Sequence, residues 1–154
     1  MNKTTPVALF AYARPRHLGK VLESLRANGI PLLYAFSDGP RTPEQEPAVA
    51  EVRRILRAID WCKVVLVERD ANLGLGRSIL AGVSQVLDEC DSVIVFEDDL
   101  VCVPGTYQYL SNALARYRDT PAVMSVTGWT HPRVTPSGVT DQPYFDGRAE
   151  CWVW

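Results

Sequence analysis

The 154-residue sequence has no apolar run approaching the ~18 residues of a membrane-spanning helix. Its opening, Met1 to Pro6, leads straight into a strand-like run and carries no secretion-signal pattern. Charge of one sign is missing as well. Sixteen basic residues face eighteen acidic ones, a net charge of −2, so nothing marks a nucleic-acid binder or a membrane-surface protein. Histidine is scarce: His17 and His131 stand far apart. Cys62, Cys90, Cys102 and Cys151 lack CxxC spacing and nearby His partners, which argues against a structural zinc site. The cysteines are expected to be buried free thiols in a reducing, cytoplasmic setting. Internal repeats and low-complexity segments are absent too.

What is present is a globular composition, 47% apolar, at a length that suggests one domain. Its organising stretch is Ser92-Val93-Ile94-Val95-Phe96-Glu97-Asp98-Asp99-Leu100. A short apolar run rich in β-branched residues reads as a strand buried on both faces, hence central in a parallel sheet. Three carboxylates follow it directly. In open α/β sheets that position lies in the ligand crevice beyond the strand ends. Continued extended geometry would put Glu97 and Asp99 on one side and Asp98 on the other. Two carboxylates ~4 Å apart repel by roughly 4 kcal/mol at an effective dielectric of about 20. Such a cluster recruits a cation, takes up a proton or stays in water. A hard divalent cation, Mg²⁺ or Mn²⁺, suits its oxygen ligands.

The remaining elements alternate. Val7 to Tyr12 is a first strand. A helix with Leu18, Val21, Leu22 and Leu25 on one face follows, stopped by Asn28-Gly29. Leu32 to Phe36 is a second strand, closed by Ser37-Asp38-Gly39. Thr42 and Pro43 open a second helix with the stripe Val49, Val52, Ile55, Leu56 and Ile59. Its Arg53, Arg54 and Arg57 read as a solvated face. Lys63 to Val67 is a third strand. The loop Glu68 to Ser78, with Gly74 and Gly76, opens a third helix and can present backbone N–H groups to an anion. It is neither a dinucleotide fingerprint nor a P-loop. Pro104 opens a fourth helix, and Ala122 to Val126 reads as a fifth strand. Residues 130 to 146 read as a long loop, with a short strand near Tyr144-Phe145. The expected fold is α/β, a mainly parallel twisted sheet flanked by helices.

Right-handed crossovers put the C-terminal ends of all parallel strands on one edge. Arg14, Asp38, the Asn72-to-Arg77 loop and the Glu97-Asp98-Asp99 cluster therefore share that edge. The chemistry suiting this set is a metal-bound diphosphate with a flanking base or sugar. Asp38 would accept from a nucleobase N–H, and Arg14 or Arg77 would pair with diphosphate oxygens.

Val95-Phe96-Glu97-Asp98-Asp99-Leu100, followed by Val103-Pro104-Gly105 and an aromatic-rich helix, resembles the metal-binding segment of GT-A-fold glycosyltransferases. The resemblance is to the N-acetylglucosaminyltransferase I type. Val7 to Arg16 is similar to that family's first β-α unit, and Ser37-Asp38-Gly39 to its uridine-binding strand end. Ser125 to Trp129 matches the strand and Trp after the metal helix. Asn72-Leu73-Gly74-Leu75-Gly76-Arg77 is similar to the loop before the donor-site helix of family 2 glycosyltransferases. The resemblance spans most of residues 7 to 130. It implies a Rossmann-like nucleotide-binding part, with Asp99 ligating Mn²⁺ or Mg²⁺. Glu97 and Asp98 would contact ribose or donor sugar, Asp38 the uracil, and Arg14 the base or diphosphate, with Asn72 and Arg77 lining the pocket. It further implies an inverting transfer from a UDP-sugar to an acceptor hydroxyl, with an Asp base. That base is expected beyond Trp154, with Glu150 a lesser candidate. The apolar ending Cys151-Trp152-Val153-Trp154 suggests a truncated chain, and Trp152 and Trp154 a surface for self-association.

Two other functions fit part of this pattern. A sugar-nucleotide nucleotidyltransferase also uses strand-end acids and metal, but expects a glycine-rich loop after the first strand, and Ala11 to His17 has no glycine. A non-catalytic nucleotide-sugar-binding or interaction domain would need the same crevice without the base.

Overall fold

The computed structural model describes residues 4–131, 133, 135–139, 142–145, 147 and 153–154. Cys151, Trp152 and the candidate Glu150 lie outside them. Among the described residues four strands, β1 (Val7–Ala11), β2 (Leu32–Ser37), β3 (Lys63–Glu68) and β4 (Ile94–Glu97), form one sheet in the order β3-β2-β1-β4. All three pairings are parallel. Helices α1 (Pro15–Ala27), α2 (Glu46–Arg57) and α3 (Leu75–Leu87) connect them, and α4 (Thr106–Tyr117) follows β4. The α/β fold read from the sequence is the fold observed.

Period-two alternation along the strands feeds two cores. Val7, Leu9, Leu33, Ala35, Ile94 and Phe96 face α1 and α2, whose Leu18, Val21, Leu25, Val52 and Leu56 complete that layer. Ala8, Phe10, Tyr34, Phe36 and Val95 face α3 and its Val86. Each Leu or Phe buried this way stabilises the fold by about 2–3 kcal/mol. Phe10 and Phe36 stack with centroids 5.0 Å apart. Gly82 lets α3 lie directly on them, since a Cβ there would meet the Phe10 ring at 2.5 Å.

Several sequence expectations are corrected. Among the described strands β4 is not central: it flanks β1, and β1 and β2 are the inner strands. Its two faces are buried in the two cores, Ile94 and Phe96 in the one with Leu110 and Val95 in the one with Val86 and Trp154. Ala122 to Val126 forms no strand. Val123 N–H instead closes a turn onto Thr120 O, and Met124 is 82% exposed. A strand needs a ladder partner, and the outer edge of β4 is already engaged where Val95 N–H donates to Trp154 O. Trp154 packs against the α3-side core and Val153 is buried in the other, so the Trp154 ring is half-covered by this chain itself. Tyr144 and Phe145 form no strand; the Phe145 ring rests edge-on against Tyr117. Cys62, Cys90 and Cys102 are free thiols, half-buried rather than buried. Arg53 does not belong to a solvated face: it donates to Ser37 Oγ at 3.3 Å and to Arg69 O at 2.6 Å, tying α2 to the ends of β2 and β3. Among the described residues no helix is long and apolar enough to cross a membrane.

Candidate functional site

The chain runs outward from β1 to β2 and β3, then returns to the other side of β1 as β4. The strand order therefore reverses between β1 and β4, the position at whose C-terminal ends open α/β sheets carry their ligand crevice. Register fixes what borders it. Phe10 is level with both Phe36 and Glu97, so the ends of β2 and β4 reach the same height on either side of β1. Asp38 N–H donates to Ala11 O at 3.3 Å, and the next amide, Tyr12 N–H, donates to Asp98 Oδ2 at 3.0 Å. Asp38 and the acidic cluster thus flank one strand end, on one rim.

Past Glu97 the strand stops. Leu100 N–H bonds back to Glu97 O at 3.2 Å, so Asp98 and Asp99 lie in a turn. That turn abolishes the strict alternation expected of an extended chain and lets both side chains meet one cation, Arg14. Arg14 Nη2 pairs with Asp98 Oδ1, and Nη1 donates to Asp99 Oδ2 at 2.6 Å. Asp98 is sunk, its side chain 2% exposed, whereas those of Asp99 and Arg14 are 39% and 45% exposed. Glu97 is half-buried, and among the described residues its carboxylate has no hydrogen-bond donor. Burial, and then the charges of Asp99 and Asp98, push its carboxyl above the usual range, with Arg14 alone pulling it down.

On the other flank the geometry is closed. The Asp38 carboxylate, 8% exposed, accepts from Leu73 N–H at 3.1 and 3.0 Å and from Gly74 N–H at 3.1 Å. Arg69 Nη1 stands 3.9 Å from it. Asn72 secures the same loop, donating to Gly39 O at 2.8 Å and accepting from Gly74 N–H at 3.1 Å. Gly74, at φ 76°, turns the chain into α3. The loop amides expected to greet an external anion are thus partly filled by an internal one, Asp38. Gly39 explains the tightness: a Cβ there would lie 2.6 Å from Asp70 O and 2.7 Å from Ala71 C. Arg77 is exposed on α3 and makes no ion pair among the described residues.

Two contributors escaped the sequence reading. Arg69 lies with its guanidinium 5.4 Å over the Phe36 ring and bonds Ser78 Oγ, holding the start of α3 behind Asp38. Tyr12 straps the rim from above: its hydroxyl accepts from Arg41 N–H at 2.8 Å and donates to Gln45 Oε1. Both follow strand ends, where a polar or aromatic residue on the crevice rim is the available signal.

A divalent cation is implied by the acidic turn, and the donor set tests it. Among the described residues no three His, Cys, Asp or Glu side chains converge on one point. Those residues therefore form no protein-only cage. Mg²⁺-type sites, however, commonly use one or two carboxylates and complete their shell with water and substrate phosphates. Asp99, exposed, with Glu97 beside it short of positive charge, fits that kind of site.

No protein-family model matches the sequence, and neither does any curated protein. Among solved structures, a mannosyltransferase from Pyrobaculum calidifontis in complex with GDP-Man and Mn²⁺ superposes with a TM-score of 0.59 at 18% identity. The match covers 85% of this chain but 36% of the mannosyltransferase. At that identity the likeness speaks for the fold: this chain has the Rossmann-like α/β architecture found in part of a glycosyltransferase.

Proposed function

We propose that this chain is the donor-binding part of a nucleotide-sugar-dependent glycosyltransferase of the GT-A type, taking a UDP-linked sugar with Mn²⁺ or Mg²⁺ and transferring it with inversion. The observation carrying this reading is the placement of Arg14, Asp98 and Asp99 at the β1/β4 switch point, with Glu97 beside them. A crevice with exposed carboxylate and guanidinium together suits a cation–diphosphate pair better than either ion alone. The fold shared with a GDP-Man-binding mannosyltransferase supports the same substrate class.

In this reading Asp99 holds the cation and Glu97 faces the donor sugar or ribose. Asp98, buried and bonded to Tyr12 N–H, positions Arg14 and so acts on the donor through it. Arg14 reaches the diphosphate, and Arg77 lines the approach from α3. Asp38 and Asn72 shape the base pocket by fixing the Leu73–Gly74 loop, and a uracil contact to Asp38 would share a carboxylate that already serves two amides. When bound, the cation supplies Lewis-acid stabilisation of the departing diphosphate. No described residue is assigned as the base for the acceptor hydroxyl.

Titration calorimetry with UDP and with GDP, each with and without MnCl₂, tests the reading. UDP is expected to bind only with Mn²⁺, and Asp99→Ala to weaken that binding at least about tenfold, the scale of one lost charge-assisted contact. Tighter binding of GDP would reassign the base. Absence of binding by both nucleotides in the presence of Mn²⁺ would overturn the proposal.

A further inference from the structure

We infer that Arg14 is an internal counter-ion guarding Asp99, released to the diphosphate only when a divalent cation takes its place; the inference rests on the donor-site reading above. The two arms of the guanidinium are not equivalent. One is anchored on Asp98, a carboxylate 2% exposed whose other oxygen is fixed by Tyr12 N–H. The other reaches Asp99, 39% exposed and bonded at 2.6 Å. A planar fork held on its buried side leaves its outer side as the exchangeable contact.

Charge counting gives the direction of exchange. Glu97, Asp98 and Asp99 with Arg14 sum to −3 + 1 = −2 when all are ionised. A divalent cation on Asp99 neutralises the set, but Arg14 already holds Asp99 Oδ2, so the cation either shares the carboxylate with a guanidinium or displaces it. A cation alone therefore binds against Arg14. A cation arriving with a diphosphate gives the freed arm new oxygens in place of Asp99, so the two ligands assist each other. By linkage each raises the other's affinity equally. Cation and nucleotide would enter the crevice as a pair, and an empty site would resist adventitious metal.

The test reads Mn²⁺ binding itself, through loss of the free-ion electron paramagnetic resonance signal, without and with saturating UDP. Wild type, Arg14→Gln and Arg14→Lys are compared. For Mn²⁺ alone, Arg14→Gln is expected to bind about three- to tenfold tighter than wild type, the scale of one partly exposed charge interaction. Arg14→Lys keeps a charge on buried Asp98 but loses the fork, and is expected to fall between them. UDP is expected to tighten Mn²⁺ binding in wild type and to do so much less in Arg14→Gln. If wild type takes up Mn²⁺ with UDP while neither variant binds Mn²⁺ alone more tightly, the guarding role is overturned and the donor site stands. If wild type takes up no Mn²⁺ even with UDP, the donor-site reading fails and the guarding role fails with it. Should Arg14→Gln not fold because Asp98 loses its partner, Arg14→Lys decides: affinity for Mn²⁺ alone no higher than wild type overturns the inference.

Discussion

Asp38 and Asp99 occupy matching places, each just past a strand on the same rim of the same sheet, yet their surroundings are opposite. Asp38 is enclosed and accepts from two backbone amides of the loop opening α3. Asp99 is exposed and, among the described residues, meets one charged side chain, itself half in water. The difference is one of desolvation. An enclosed carboxylate has lost its hydration and depends on every donor it keeps. An exposed one exchanges partners at little cost, which a ligand site requires. The two strand-end acids thus differ in kind: Asp38 is locked into the loop that opens α3, and Asp99 keeps an exchangeable partner.

The comparison breaks hardest at Gly39, which brings the Asp38 turn against Asp70 and Ala71. The neighbours a Cβ would strike, at 2.6–2.8 Å, are backbone atoms, and backbone cannot swing aside. Gly39→Ala is expected to cost about 3 kcal/mol or more, a fall in Tm of about 6–12 °C in a thermal melt. A melt within 2 °C of wild type, by the same scaling, would show that the Asp38 flank is looser than its geometry. Asp38→Ala comes next. It leaves the Leu73 amide without its acceptor, the Gly74 amide with Asn72 Oδ1 alone, and Arg69 without its nearest carboxylate. The expected loss is about 2–3 kcal/mol, read as a lower urea midpoint. Hydrogen exchange should accelerate at Leu73 and Gly74 and stay unchanged in β4.

How much of this division was legible beforehand follows from what sequence encodes. Periodicity gave β1 to β4 and α1 to α4, because burial on one face is written in spacing. It also placed Arg14, Asp38, Asn72 and the acidic cluster on one rim, since parallel topology leaves little choice. The fifth strand at Ala122 to Val126 failed because apolar residues do not name their ladder partner. Helical position alone puts Arg53 on a solvated face, because it cannot show Ser37 Oγ and the Arg69 carbonyl within reach. The contrast between Asp38 and Asp99 was illegible for the same reason: it depends on a turn at Asp98 and on a loop 35 residues from Asp38 in sequence. Side-chain type says that a carboxylate needs partners; only the packed chain says whether they are amides or water.

The smallest expected effect is the sharpest test of the division. Asp99→Asn removes the charge that holds the outer arm of the Arg14 fork, an exposed pair of a kind worth about 0.2–1 kcal/mol. It also removes a negative charge that presses on half-buried Glu97, where Asp99 is the second cause, after burial, of the raised carboxyl. The two changes oppose each other, and Asp98 keeps Tyr12 N–H and the inner arm of Arg14 throughout. Stability is therefore expected to change by less than about 0.5 kcal/mol, measured by urea unfolding at neutral pH. A loss as large as that of Asp38→Ala would mean that Asp99 is held as firmly by the fold as Asp38 is. Its oxygens would then not be free to leave Arg14, and the crevice between β1 and β4 would be a packed joint with no room for exchange.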